Sequence, residues 1–296
     1  MTTSTPPLDP FLSLLSGSAA GVVADLLTHP ISTVKTRLQV QGASRAGAGS
    51  LVQYRGLWHA TSAIARAEGA AGLYKGVGIV VASAAPAQGL YFAGYDAARA
   101  ALPKDYALSN FAAGCAAQLC GSLFWVPMDT VKERLQIEGQ LLAASGARLG
   151  GSWSAVRTIV KQEGALGLYP AYWMHQATWA PFNGLFFAAY EAAKGFAAAR
   201  EWPTWWCAPL AGVFAGTVTN PADLIKTRLQ VRRANPGVFA YAGPLDCARQ
   251  LVRNEGWLAL FDGTIARCVL IAPRLTIAVS LKEYLDGWLQ GGRQQP

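Results

Sequence analysis

One ten-residue stretch occurs three times in this chain of 296 residues: Pro30 to Gln39 (PISTVKTRLQ), Pro127 to Gln136 (PMDTVKERLQ) and Pro221 to Gln230 (PADLIKTRLQ). The copies begin 97 and 94 residues apart, so each unit is far longer than the helical-pair repeats of soluble solenoids. Each copy sits late in a long apolar segment. One copy alone reads as a proline-kinked helix with a charged end; three in register define a threefold repeat.

The same order of elements follows each copy. The first apolar segment, 11–41, carries Gly17 and Gly21, a small-residue spacing that lets membrane helices approach closely. Pro30 removes a backbone hydrogen bond and kinks this helix toward a common axis. A short amphipathic helix around 54–68 is too polar to span and is expected at the membrane surface. A second spanning helix, 74–102, contains Pro86. The second unit gives spans over 110–138 and 170–199 with Pro181, and the third over 205–233 and 261–290 with Pro273. The expected fold is all-α: six transmembrane helices and three surface helices in a pseudo-threefold barrel, with both termini on one side. Its parts are a polar tail at 1–10, repeats at 11–105, 106–202 and 203–291, and a tail at 292–296. Trp202, Trp205, Trp206 and Trp288 cluster at segment ends, where amphipathic rings prefer the interface.

Composition agrees. The chain is 52% hydrophobic and 14% charged, against about a quarter charged in soluble domains. Few windows of about 18 residues escape polar interruption, which suits helices that line a wet cavity on one side. The net charge of +8 is scattered across repeat positions instead of forming one stripe, which argues against nucleic acid and fits anionic lipid or solute. Five cysteines without C-x-x-C spacing give neither a disulfide framework nor a zinc site. The N-terminal tail reads as neither a secretory signal nor an Arg-rich transit peptide. No Ser-His-Asp set or phosphate-cradling loop is present, and His29, His59 and His175 are far apart, so an enzyme is unsupported. No cofactor or metal is implied.

The decapeptides, together with Glu68-Gly69 and Tyr74-Lys75-Gly76, Glu163-Gly164 and Tyr169-Pro170-Ala171, and Glu255-Gly256 and Phe261-Asp262-Gly263, resemble the mitochondrial carrier family over essentially the whole chain. The resemblance implies a carrier of a small metabolite in the mitochondrial inner membrane, working by alternating access, with peroxisomal or plastid membranes as other homes. It implies a matrix gate in which the acid of one odd-numbered helix meets the base of the next: Asp129 with Lys226, and Asp223 with Lys35. Ser32 stands where the third acid belongs, so Lys132 has no formal partner. Gln39, Gln136 and Gln230 match positions that brace these bridges. A cytoplasmic gate is implied by Asp96 and Arg99, Glu191 and Lys194, and Glu283, with Lys282 at the aromatic position and Asp286 in place of a cation.

Substrate contacts implied by the resemblance fall at Ser83 and Ala84, Thr178 and Trp179, and Leu270 and Ile271. None is charged, which argues against a small dicarboxylate or a bare nucleotide. Asp25, a lone acid at membrane depth, is either a solute contact or a bridge to Arg267 or Arg274. Arg267 and His175 hold equivalent positions in two repeats. Asp25 and the run around Pro30 are similar to S-adenosylmethionine carriers, with iron carriers a second possibility; Thr178 and Trp179 depart from the Arg-Glu common in the former. Cardiolipin is implied at helix starts near Gly76, Ala171 and Gly263, weaker at Ala171. A monomer is expected. The alternative is a carrier-like scaffold or receptor that no longer transports, suggested by Ser32 and Asp286.

Overall fold

The structure, a computed structural model, describes residues 10–46, 52–103, 107–145, 149–234, 236 and 238–291. The expected tails, at 1–9 and 292–296, lie outside the described residues.

Among the described residues ten α-helices follow one another: α1 (Pro10–Val40), α2 (Leu57–Leu73), α3 (Val77–Ala101), α4 (Ala107–Ser145), α5 (Ser152–Glu163), α6 (Tyr172–Ala198), α7 (Cys207–Val218), α8 (Asn220–Val231), α9 (Pro244–Glu255) and α10 (Thr264–Gly291). Repeat one holds α1 to α3, repeat two α4 to α6, and repeat three α7 to α10. Among the described residues three helical stretches, Leu12–Ala43, Val77–Ala101 and Trp257–Gln290, are long and apolar enough to cross a bilayer unaided.

Pro30 and Pro127 lie inside continuous helices. In the third repeat the expected single span is instead broken at Thr219 (φ −90°, ψ 4°), two residues before Pro221 in the first turn of α8. Pro221 can donate no backbone hydrogen bond, and its ring crowds the preceding turn. Asn220 then bonds outward, its side-chain amide donating to the carbonyls of Leu260 at 3.0 Å and Asp262 at 3.3 Å. Alone, the twelve residues of α7 rise about 18 Å, too short for a bilayer core. With α8 they make the fifth span.

The spans close into a ring: α1 touches α3, α3 touches α4, α4 touches α6, α6 touches α7, and α10 touches both α7 and α1. Inside it, α1, α4 and α8 also contact one another pairwise, so the three decapeptides meet around one axis. Burial is concentrated at this end. Val34 and Leu38 pack on Ala60 and Ile64, Val131 and Leu135 on Ala155 and Ile159, and Ile225 and Leu229 on Cys247. Each surface helix thus covers the post-proline half of its own odd helix. Beyond the charged residues Val40, Ile137 and Val231 join Phe239 in a fully apolar plug. Along the spans large apolar side chains such as Phe187, Phe214, Ile265 and Trp288 face outward, as a lipid-facing surface requires.

Helices α5 and α9 end at the Glu-Gly pair of their repeats, and α2 kinks at its own. Gly69, Gly164 and Gly256 take φ of 71°, 74° and 90° with extended ψ. Only glycine adopts that conformation freely, and the turn swings the chain back toward the next span.

Candidate functional site

The decapeptide helices present their acid and base three residues apart, on one face, and convergence turns that face inward. Lys35 Nζ lies 2.5 Å from Asp223, and Lys226 Nζ lies 2.8 Å from Asp129. Both bridges cross between repeats, α1 to α8 and α8 to α4. The third lysine makes no such crossing. Lys132 turns back to Asp129 of its own helix at 2.7 Å, because Ser32 offers it no charge. Asp129 therefore serves two lysines.

The glutamines follow the same threefold pattern. Gln39 donates to Asp223 at 3.0 Å and accepts from Thr227 at 3.1 Å. Gln136 sits at the Ser32 corner, 3.4 Å from the Ser32 hydroxyl and 3.3 Å from that of Thr33, while Thr36 donates to it at 2.7 Å. Gln230, with its amide oriented to satisfy both side chains, donates to Glu133 at 2.6 Å. Glu133 was not among the residues that the sequence singled out. Its carboxylate is buried and lies 3.7 Å from Lys226. The signal was available: it stands where the other two decapeptides carry Thr36 and Thr227.

A second set of ion pairs lies just below. Arg37 pairs with Glu68 at 2.5 Å, Arg134 with Glu163, and Arg228 with Glu255 at 2.5 Å. Each guanidinium also reaches the next odd helix, Arg37 donating to the Gln136 carbonyl at 2.8 Å, Arg134 to that of Gln230 at 3.2 Å, and Arg228 to that of Gln39 at 3.0 Å. One arginine per repeat thus ties a surface helix to a neighbouring span. Repeat one adds Lys75, 3.0 Å from Glu68 and 3.1 Å from Glu138. Burial pushes the Glu68 carboxyl up, but the hydrogen bond and charge of Arg37, helped by Lys75, hold it below its ordinary range.

The opposite end is unlatched. Glu191 lies only 3.9 Å from Lys194 of its own helix, and no ion pair joins Asp96, Arg99 or Glu283 to another described side chain. Asp286, the expected sign reversal, is neutralised one turn back by Lys282 at 2.5 Å and accepts a hydrogen bond from Ser16. Between α1, α3 and α10 at this end lies a pocket of about 240 Å³, bordered by Leu14, Gly17, Gln88, Phe92, Val279 and Lys282.

Three repeats, each with a decapeptide closing one end of a ring of spans, match the family described as "Mitochondrial carrier protein" over residues 6–106, 103–201 and 200–293. The chain belongs to the mitochondrial carrier family. It is 34% identical over 293 residues to mitochondrial substrate carrier family protein E of Dictyostelium discoideum, covering 93% of this chain and 94% of that protein. It is 33% identical over 272 residues to S-adenosylmethionine carrier 1, chloroplastic/mitochondrial, of Arabidopsis thaliana (88% and 74%), and 29% identical over 303 residues to mitochondrial citrate transporter C of Aspergillus niger (96% and 92%). Mitochondrial carriers are transporters and not enzymes.

Within this carrier the residues expected to touch solute fall in different settings. Asp25 pairs with Arg274 at 2.5 Å, and both remain partly open, at 26% and 42% of the side chain. Arg267 instead turns to Asp223 at 3.7 Å and donates to the Gly216 carbonyl at 3.0 Å. His175, its equivalent in repeat two, lies 3.6 Å from Asp129 and against Trp179, with ring centroids 6.1 Å apart. Ser83 and Thr178 are buried, and the Thr178 hydroxyl donates to the Met174 carbonyl at 2.8 Å. Ala84, Trp179 and Leu270 are half-buried. Ile271 lies in the seam with α7, where a Cβ on Gly212 or Gly216 would come within 2.7 Å of it.

At the starts of the even-numbered spans, Gly76 and Gly263 take φ of 82° and 79°. Ala171 takes φ −133° instead and is buried against Ile225 and Leu229.

Proposed function

We propose that this carrier moves a small metabolite across the mitochondrial inner membrane by alternating access, and that the described state is closed toward the matrix and open on the other side. One observation carries the reading. Lys35 with Asp223 and Lys226 with Asp129 bridge three helices at one end, while among the described residues Asp96, Arg99, Glu191, Lys194 and Glu283 make no bridge between helices at the other. Two mouths latched in turn by modest ion pairs leave neither state dominant, as alternating access requires.

The solute best suited carries both a cationic group and a carboxylate, as S-adenosylmethionine does. Asp25 and Arg274 form a partly open acid and base pair that such a molecule could replace group for group, and Trp179 offers a flat face to a ring or cation. The uncharged Ser83, Ala84, Thr178, Leu270 and Ile271 disfavour a dicarboxylate. An iron cargo gains no support, since no three His, Cys, Asp or Glu side chains gather among the described residues. Anionic lipid such as cardiolipin would sit at the helix starts near Gly76 and Gly263, more weakly at Ala171.

The test is reconstitution into liposomes loaded with candidate solutes, followed by uptake of labelled S-adenosylmethionine, amino acids, nucleotides and tricarboxylates. Saturable uptake of S-adenosylmethionine or another zwitterion is expected. Uptake of tricarboxylate alone would overturn the solute class, and no uptake of any solute would favour the scaffold reading.

A further inference from the structure

The three decapeptides put a lysine at each corner of the matrix-end ring, and strict repetition would put an acid beside each. Ser32 breaks that rule in repeat one. The even-helix partner is missing from the same repeat: where His175 and Arg267 stand six residues before Pro181 and Pro273, Val80 stands six before Pro86. The corner where α1 meets α4 therefore has neither charge, and is held by the hydrogen bonds of Gln136 with Ser32, Thr33 and Thr36.

Counted as a group, the ring would then hold Lys35, Lys132, Lys226 and Arg267 against only Asp129 and Asp223. Two uncompensated cations buried among apolar helices are costly. Glu133 supplies one of these two missing charges. It is 3% exposed, its carboxylate lies 3.7 Å from Lys226, and Gln230 donates to it at 2.6 Å. Lys226 thereby holds Asp129 and Glu133 together, while Asp129 also takes Lys132.

We infer that Glu133 is the third acid of the matrix gate, moved from helix α1 to helix α4, so that the latch is doubled at the α4–α8 seam and absent from the α1–α4 seam. Glu133 is a positioning residue and touches no solute. The inference rests on the gate proposed above, since it assigns the residue a part in the same closure.

Four proteins test it: the natural chain, Glu133→Gln, Ser32→Asp, and Ser32→Asp with Glu133→Gln. Each is purified in detergent for thermal unfolding and reconstituted for uptake. Glu133→Gln should lower Tm by about 5 °C or more and slow uptake about tenfold, because Lys132 and Lys226 must then share Asp129 alone. The double variant restores an acid to the corner facing Lys132 and should recover most of both losses. Removing a merely local contact at position 133 would not be repaired from position 32 on another helix. The inference falls if Glu133→Gln matches the natural chain in Tm and uptake, or if the double variant is no better than Glu133→Gln. If Glu133→Gln fails to fold, a folded double variant supports the inference and an unfolded one overturns it. If the natural chain moves no solute, the transport reading fails and the order of Tm values alone decides the place of Glu133.

Discussion

Asp25, the only acid of α1, holds Arg274 of α10 at 2.5 Å, joining the first and last spans across 249 residues of sequence. The pair is partly open, so it adds little to stability. Asp25→Asn should leave Tm within about 2 °C while raising the KM for the transported solute about tenfold or more. Unchanged uptake kinetics in the variant would remove Asp25 from the solute site.

The Lys35 and Asp223 bridge is buried, so removing one partner leaves a charge without compensation, at a cost of about 3–5 kcal/mol. Lys35→Asp or Asp223→Lys alone should abolish uptake. The two together should recover only part of it, because Arg267 faces position 223 at 3.7 Å. Uptake measured in liposomes, with Tm alongside, separates recovery from simple misfolding.

Acid should loosen the surface helix of repeat one. Glu68 has its carboxyl held below its ordinary value of 4.5 by Arg37 and Lys75, against the upward push of burial. Its stabilising contribution is therefore fully present above pH 4.5 and is lost as pH falls through the depressed value. The Tm difference between the natural chain and Glu68→Gln should be constant at neutral pH and shrink below about pH 4. A difference that held steady down to pH 3 would contradict this assignment.

Cysteine labelling offers a check on the repeat packing. Burial pushes the Cys247 thiol up to about 12, and it lies between α9 and α8, whereas Cys115 is exposed. Thiolate is the reacting form. With maleimide at pH 7, Cys247 should label only on unfolding, as read by mass spectrometry of peptides.

The architecture was legible because three copies of a decapeptide fix which positions are equivalent, while the pairing of Lys35 with Asp223 and of Lys226 with Asp129 was implied by the resemblance to mitochondrial carriers. What equivalence leaves open is where a long side chain turns when its partner is absent. Lys132 has four rotatable bonds and found its own Asp129, which no repeat rule demands. Glu133 was passed over for a related reason: its position carries threonine in the sister copies, so the pattern assigned it no role. The arginine partners Glu68, Glu163 and Glu255 were visible as motif residues, but their reach across to the next span depends on the convergence of three helices. Asp286 read as a defect from sequence alone, while in space Lys282 cancels it one helical turn away.

The break at Thr219 has a mechanical meaning. Repeats one and two can tilt their lower halves only by flexing an unbroken rod at Pro30 or Pro127, whereas repeat three has a joint already cut, with Asn220 pinning the lower piece to the turn before α10. Repeat three thus carries a preformed joint where its two sisters keep an intact rod.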